Sequence, residues 1–198
     1  DVTVSVYSAP NGDGEPADGA VLATTTTDAS GAYVFRDVTP GDYVVVETDP
    51  IGYESTADTD TTNDNQISVT LPSGVDSTGN DFLDAAVQVL SGEVRDDLDG
   101  DGDLTDADDG IAGVTIELYS DPNGDGDPAD GAVLATTTTN GNGEWQFTDV
   151  TPGDYVVVET DLADYLSTAD EDTTNDNRIS VTVVSGTDNT GNDYLDAR

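Results

Sequence analysis

Apolar residues in this 198-residue chain fall on alternate positions, not at helical spacing. Val2, Val4 and Val6 alternate with polar residues, and so do Val114, Ile116 and Leu118. Tyr33 and Phe35, Trp145 and Phe147, Ile67 to Leu71 and Ile179 to Val183 follow the same rule. A period of two predicts strands with one buried face, and no window carries a 3.6-residue period. The segment GDYVVVET, starting at Gly41 and again at Gly153, is apolar on both faces at its centre. It reads as a central strand with a partly covered outer face. VTPG at Val38 and Val150 predicts a type II turn with Pro and Gly at its central positions.

The pattern occurs twice. SAPNGDGEPADGAVLATTTT from Ser8 recurs as SDPNGDGDPADGAVLATTTT from Ser120, and DVTPGDYVVVETD, DTTNDN and GND-aromatic-LDA recur likewise. The period, about 112 residues, is too long for a solenoid turn and suits a whole β domain. About seven short strands per copy, separated by turn signals, predict tandem antiparallel β-sandwiches. The copies divide as residues 1–86 and 87–198. Ala86–Gly113 has no counterpart in the first copy, which therefore lacks an opening strand and its acidic loop. Either the chain was cut there or a neighbouring chain supplies the strand. No Pro/Gly/Ser linker separates the copies, which predicts a nearly fixed angle between them.

Charge narrows the function. The chain holds 43 acidic and 4 basic residues, a net charge of -39, and no histidine or cysteine. The basic residues are Arg36, Arg95, Arg178 and Arg198. Nucleic acid and anionic lipid need a cationic face, and none is present. Without Cys, His or Lys there is no thiol or imidazole catalyst, no usual zinc site, and no Schiff-base or phosphate-loop lysine. No apolar run is long enough to insert into a membrane. The regular apolar pattern argues against the disorder that so acidic a composition otherwise implies. The Asp excess fits a saline habitat, where salt screens self-repulsion.

The most acidic stretch is DDLDGDGDLTDADDGI, from Asp96 to Ile111. With Asp97 at position 1, Asp99 falls at 3, Asp101 at 5, Gly102 at 6, Asp103 at 7 and Asp108 at 12. This is the spacing of an EF-hand loop, in which alternate oxygens converge on Ca²⁺ and Gly turns the chain. Asp replaces Glu at position 12, a shorter arm for closing the shell. Strand-like flanks replace the helices a calcium sensor needs. A second loop offers Asp121, Asn123, Asp125, Asp127 and Asp130. Its first-copy counterpart has Ala9 in place of Asp121, then Asn11, Asp13, Glu15 and Asp18. Such residues also form plain hairpin turns. A third cluster, TADTDTTNDN and TADEDTTNDN, contributes Asp60, Asp64, Asp172 and Asp176, in ligand types but without a fixed spacing.

GEVRDDLDGDGDLTDADDGIAGVTIELYSD, GEWQFTDVTPGDYVVVET and GNDYLDA resemble the SdrD B-like repeats of bacterial surface proteins, relatives of Cna B-type domains. The resemblance implies an Ig-like or transthyretin-like Greek-key sandwich. It also implies calcium at Asp97, Asp99, Asp101 and Asp108, more than one ion per repeat, and a role as a stalk carrying an adhesive region. An aromatic residue often found in the family's first strand is replaced around Val94 and Arg95. Cna B-type domains often carry a Lys–Asn crosslink, which a lysine-free chain cannot form, so calcium is the staple left.

These readings converge on a calcium-rigidified spacer in an extracellular stalk, adhesin or filament, with neighbouring repeats or other copies as partners. An alternative is a polymer subunit completed by a neighbour's strand. A further alternative is a glycan- or protein-binding module using Tyr53, Tyr165 or Trp145, although Trp145 aligns with Tyr33 on an alternating strand and reads as core. Catalysis is not expected, because paired-carboxylate hydrolysis needs an acid held protonated in a cleft.

Overall fold

The computed structural model describes residues 1–9, 16, 19–60, 62–172 and 174–198. It contains fifteen strands, with no α-helix among the described residues. The chain divides into two compact units, Asp1–Ala85 and Ala86–Arg198.

Unit 2 is a two-sheet sandwich. One sheet contains β9 (Thr115–Ser120), β10 (Val133–Thr138), β12 (Gly153–Thr160) and β14 (Arg178–Val183), in the order β10-β9-β12-β14. The other contains β7 (Gln88–Asp96), β11 (Glu144–Val150), β13 (Leu166–Asp170) and β15 (Tyr194–Ala197), in the order β11-β7-β15-β13. The short β8 (Asp109–Gly110) pairs with β7. Pairing is antiparallel except between β7 and β15, which run parallel from Tyr194 beside Val94 to Asp196 beside Asp96. Alternation does what it predicts. Ile116, Leu118, Tyr155, Val157, Ile179 and Val181 from one sheet meet Leu90, Val94, Trp145, Phe147 and Tyr194 from the other. Trp145 is 3% exposed, so it is a core residue. Gly92 lets β7 approach the chain at Asn192, whose carbonyl would lie 1.9 Å from any added Cβ.

Unit 1 repeats one sheet. β1 (Thr3–Ser8), β2 (Val21–Thr26), β3 (Gly41–Thr48) and β5 (Gln66–Leu71) lie in the order β2-β1-β3-β5. Its second sheet is a single pair, β4 (Tyr53–Asp58) and β6 (Phe82–Ala86). The expected strand at Tyr33 and Phe35 is not formed, although its counterpart β11 is. β11 takes its ladder from β7, and unit 1 has no such partner among its described residues. Alternation alone does not make a strand when the backbone groups have no ladder to join.

The VTPG turn also departs from expectation. Gly41 and Gly153 are not left-handed; each opens a strand. The left-handed residues are Asp37 and Asp149, with φ of 60° and 58°. The turn is closed instead by a tyrosine. Tyr155 donates its hydroxyl to the Thr151 carbonyl at 2.7 Å, and Tyr43 does the same to Thr39 at 2.5 Å.

Candidate metal centres

The acidic loop is a hairpin insert. Residues 97–108 lie between paired Asp96 and Asp109, so β7 and β8 hold its two ends together. Asp97 is 4% exposed and organises the turn. Its Oδ1 accepts the Gly100 N–H at 2.8 Å and its Oδ2 the Gly102 N–H at 3.1 Å. Both glycines are left-handed, at φ 74° and 71°, a region other residues enter at a cost. The neighbouring Thr168 hydroxyl, then the N–H groups of the loop, hold the Asp97 carboxyl below its ordinary range. Oxygens of Asp97, Asp99 and Asp101 come within 4.8 Å of one another, a spacing one cation could bridge.

The end of the loop is arranged differently. Asp103 and Asp108 do not join that group of carboxylates. Asp103 accepts from the Thr105 N–H and hydroxyl, at 2.9 and 2.7 Å, which lowers its pKa, and its carbonyl accepts the Asp106 N–H at 3.2 Å. Arg95, 9% exposed, donates to the carbonyls of Leu104 and Asp106, both at 2.6 Å, and lies 3.4 Å from Asp193. Part of the loop's negative potential therefore meets a cation supplied by the protein.

The second loop repeats this turn. Asp121 is 5% exposed; its Oδ1 accepts from Gly124 at 2.9 Å and its Oδ2 from Gly126 at 2.9 Å. Those glycines are left-handed too, at 72° and 77°. Asp121, Asp125 and Asp130 bring oxygens within 4.8 Å, and the Asn123 amide donates to Asp125 and Asp130. Asp127 instead caps the 3₁₀ turn Pro128–Asp130 and faces Arg178 at 3.8 Å. The first-copy residues Asn11, Asp13, Glu15 and Asp18 lie outside the described residues.

In the third cluster the sequence reading missed the central residue. Asp170 is 4% exposed, accepts the Asp176 N–H at 3.1 Å through Oδ2, and leaves Oδ1 buried without a partner. Burial, and next the charges of Asp172 and Asp176, push its pKa up to about 6. In unit 1 Asp58 occupies the same place and groups with Asp60 and Asp64.

A further group was not expected at all. Glu159, Asp161 and Asp196 bring oxygens within 4.8 Å of one another, and Glu47, Asp49 and Asp84 do so in unit 1. Glu159 is 3% exposed and Asp196 0%. Burial, then the mutual charge of the carboxylates, raises Glu159 well above the usual range; burial raises Asp196. Alternation held the signal. Glu159 stands two residues beyond Val157 on the core-facing register of β12, where a carboxylate is out of place.

The family follows from the sequence of both units. The model of the SdrD B-like domain matches residues 2–85 and again residues 88–196. The chain belongs to the SdrD B-like domain family. Among curated relatives, serine-aspartate repeat-containing protein F of Staphylococcus epidermidis is 32% identical over 147 residues, covering 71% of this chain and 8% of its own length. Serine-aspartate repeat-containing protein D of Staphylococcus aureus is 34% identical, again over 71% of the chain and 11% of its own length. These SdrD B-like repeats thus span about a tenth of the relatives they match. Among solved structures, the shaft pilin SpaA of Lactobacillus rhamnosus GG aligns with 99% of the chain and 84% of its own, at 16% identity and a TM-score of 0.40. The minor pilin GBS52 of Streptococcus agalactiae aligns with all of the chain and 82% of its own, at 17% identity and 0.39. No helix among the described residues is long and apolar enough to cross a membrane.

Proposed function

We propose that this chain is a structural repeat of an extracellular surface protein, a spacer in a stalk or filament whose units are stiffened by Ca²⁺. The observation that carries the reading is the shared turn of the two loops. In each, a buried aspartate folds two left-handed glycines around itself and gathers carboxylates to within 4.8 Å. An all-oxygen donor set suits a hard cation, and extracellular modules bind calcium at about 10⁻⁴–10⁻³ M, so they stay loaded outside cells. A cation bound only to the folded state stabilises it by mass action. The chain has no cysteine or lysine, hence no disulfide and no lysine crosslink to do that work.

Catalysis finds no support. Glu47 and Asp84 face a cleft in unit 1, but their twins in unit 2, Glu159 and Asp196, are 3% and 0% exposed, which argues for a repeated structural arrangement. Single-molecule pulling tests the spacer reading. Unfolding forces fall on chelation and recover when Ca²⁺ returns; equal forces in both conditions sink it.

A second reading rests on that cleft. It measures about 1120 Å³ and is lined by Val2, Val4, Tyr33, Phe35, Val45 and Phe82 among others. The counterparts of these residues pack against Leu90 and Val94 of β7 in unit 2. A β7-type strand fills it, from a preceding segment of the parent protein or from a neighbouring copy in a polymer. Size-exclusion chromatography in Ca²⁺ separates the two: a chain that stays monomeric at every concentration rules out the neighbouring copy.

A further inference from the structure

We propose that Glu159, Asp161 and Asp196 form a buried site for a dehydrated divalent cation, Ca²⁺ by preference, distinct from the acidic loops. The inference rests on the calcium reading of the loops for the choice of ion alone.

The case starts from unpaired oxygens. Both carboxylate oxygens of Glu159 and both of Asp196 are buried and accept no hydrogen bond from any N–H or O–H. Buried polar atoms are nearly always paired, and an uncompensated buried charge costs several kcal/mol. The arginines of unit 2 are engaged elsewhere. Arg95 holds the loop carbonyls, Arg178 faces Asp127, and Arg198 is 70% exposed beside Asp96. A bond between Glu159 and Asp196 requires a shared proton and still leaves the other buried oxygens of the pair without a partner. One metal ion satisfies all three carboxylates together.

Geometry fits such an ion. Ca²⁺ holds oxygens at about 2.3–2.6 Å, so two ligands of one ion lie no more than roughly 5 Å apart. The three side chains offer oxygens within 4.8 Å. Glu159 and Asp196 stand on β12 and β15, and Asp161 follows β12 directly, so rigid strands hold the donors in place. Asp161 is further fixed by the Asn177 amide at 2.5 Å. Three carboxylates with little access for water favour Ca²⁺ over Mg²⁺, which keeps several waters of its own. The set recurs independently as Glu47, Asp49 and Asp84, with buried unpaired oxygens on Glu47 and Asp84. The site also adjoins the acidic loop, because the Asp97 N–H donates to the Asp196 carbonyl at 2.8 Å.

Equilibrium dialysis of the full chain against ⁴⁵Ca²⁺ tests it, with Glu159→Gln, Asp161→Asn and the loop variant Asp99→Asn/Asp101→Asn. Glu159→Gln is expected to bind one ion fewer than wild type, and the loop variant to lose a different ion. Asp161→Asn, at the more exposed edge of the site, keeps the fold measurable if Glu159→Gln does not fold and is expected to weaken one site at least tenfold. Melting gives an independent sign: Glu159→Gln lowers the midpoint in Ca²⁺ and does not lower it in chelator. An unchanged ion count in both triad variants, or a midpoint lowered equally in both conditions, overturns the inference. If the loop variant loses its ion while the triad variants lose none, only this site falls. If wild type binds no Ca²⁺, the loop reading falls with it.

Discussion

Trp145 and Phe147 stand on β11, paired to β7 and nearly inaccessible, at 3% and 6% exposure. Tyr33 and Phe35, at the same places in unit 1, lie in no strand and are only half-buried. Leu195 is fully buried and Leu83, its twin, is 61% exposed. The sequences are near copies at these places, so local preference does not account for the difference. β7 accounts for it. It supplies Leu90 and Val94 to the core, a ladder for β11 and a second ladder for β15. The comparison teaches that β7 is what makes a strand of the Trp145–Phe147 segment, whereas the pair β13–β15 has a ladder of its own and keeps it in unit 1 as β4–β6.

The strongest way to break the comparison is to give unit 1 what it lacks. A fusion placing residues 86–113 ahead of Val2 is expected to order Tyr33–Phe35 as a strand and raise the unit's stability by several kcal/mol, since each large apolar side chain newly buried contributes about 1.5–3 kcal/mol. Circular dichroism melts of unit 1 with and without the addition measure this, and identical melts contradict it. In unit 2, Leu90→Ala removes a fully buried side chain and is expected to cost about 2–5 kcal/mol by urea unfolding. Leu83→Ala in unit 1 tests the same point from the other side, with a loss below about 1 kcal/mol, as befits an exposed residue.

Acidity provides a subtler comparison. Glu159, Asp196 and Asp170 have pKa values raised in the folded unit 2, mainly by burial, as Glu47 has in unit 1. A raised carboxyl binds more protons folded than unfolded, so its contribution is complete below the ordinary carboxylate range and is lost as pH rises through the folded value. In chelator the midpoint of unit 2 should therefore fall between about pH 5 and the region near 9 where Glu159 ionises, by on the order of 5–10 °C. Glu47 is raised only to about 7, so unit 1 should finish its decline at lower pH. A midpoint in chelator that climbs over this range contradicts the placement of these carboxyls. The smallest effect expected is from Tyr155→Phe and Tyr43→Phe, each losing one hydroxyl bond to a turn carbonyl, about 1 kcal/mol by denaturant titration and alike in the two units.

Much of this was legible beforehand. Period-two alternation placed β1, β5, β9, β11 and β14, because a strand with one buried face leaves that imprint on its sequence, and the doubly apolar GDYVVVET placed β3 and β12 as central strands. The Asp-x-Asp-x-Asp-Gly spacing located the acidic loop, because the turn requires glycine where φ is positive. What was not legible depended on partners. The strand at Tyr33 failed for want of a ladder, which no local pattern records. Spacing does not record that the Asp103 carboxylate is taken up by Thr105, or that Arg95 from β7 holds the carbonyls of Leu104 and Asp106. Asp170, Glu159 and Asp196 carry no loop spacing to mark them, because these carboxylates stand on strands β13, β12 and β15.

The most direct test of the account is scanning calorimetry of the full chain in about 10 mM Ca²⁺ and in chelator. One site filled to about a hundred times its Kd adds roughly 2.7 kcal/mol, a rise on the order of 10 °C for a domain of this size. The account predicts at least that rise for unit 2, and its loss by more than half in Asp97→Asn/Asp121→Asn. The same midpoint in Ca²⁺ and in chelator would contradict it.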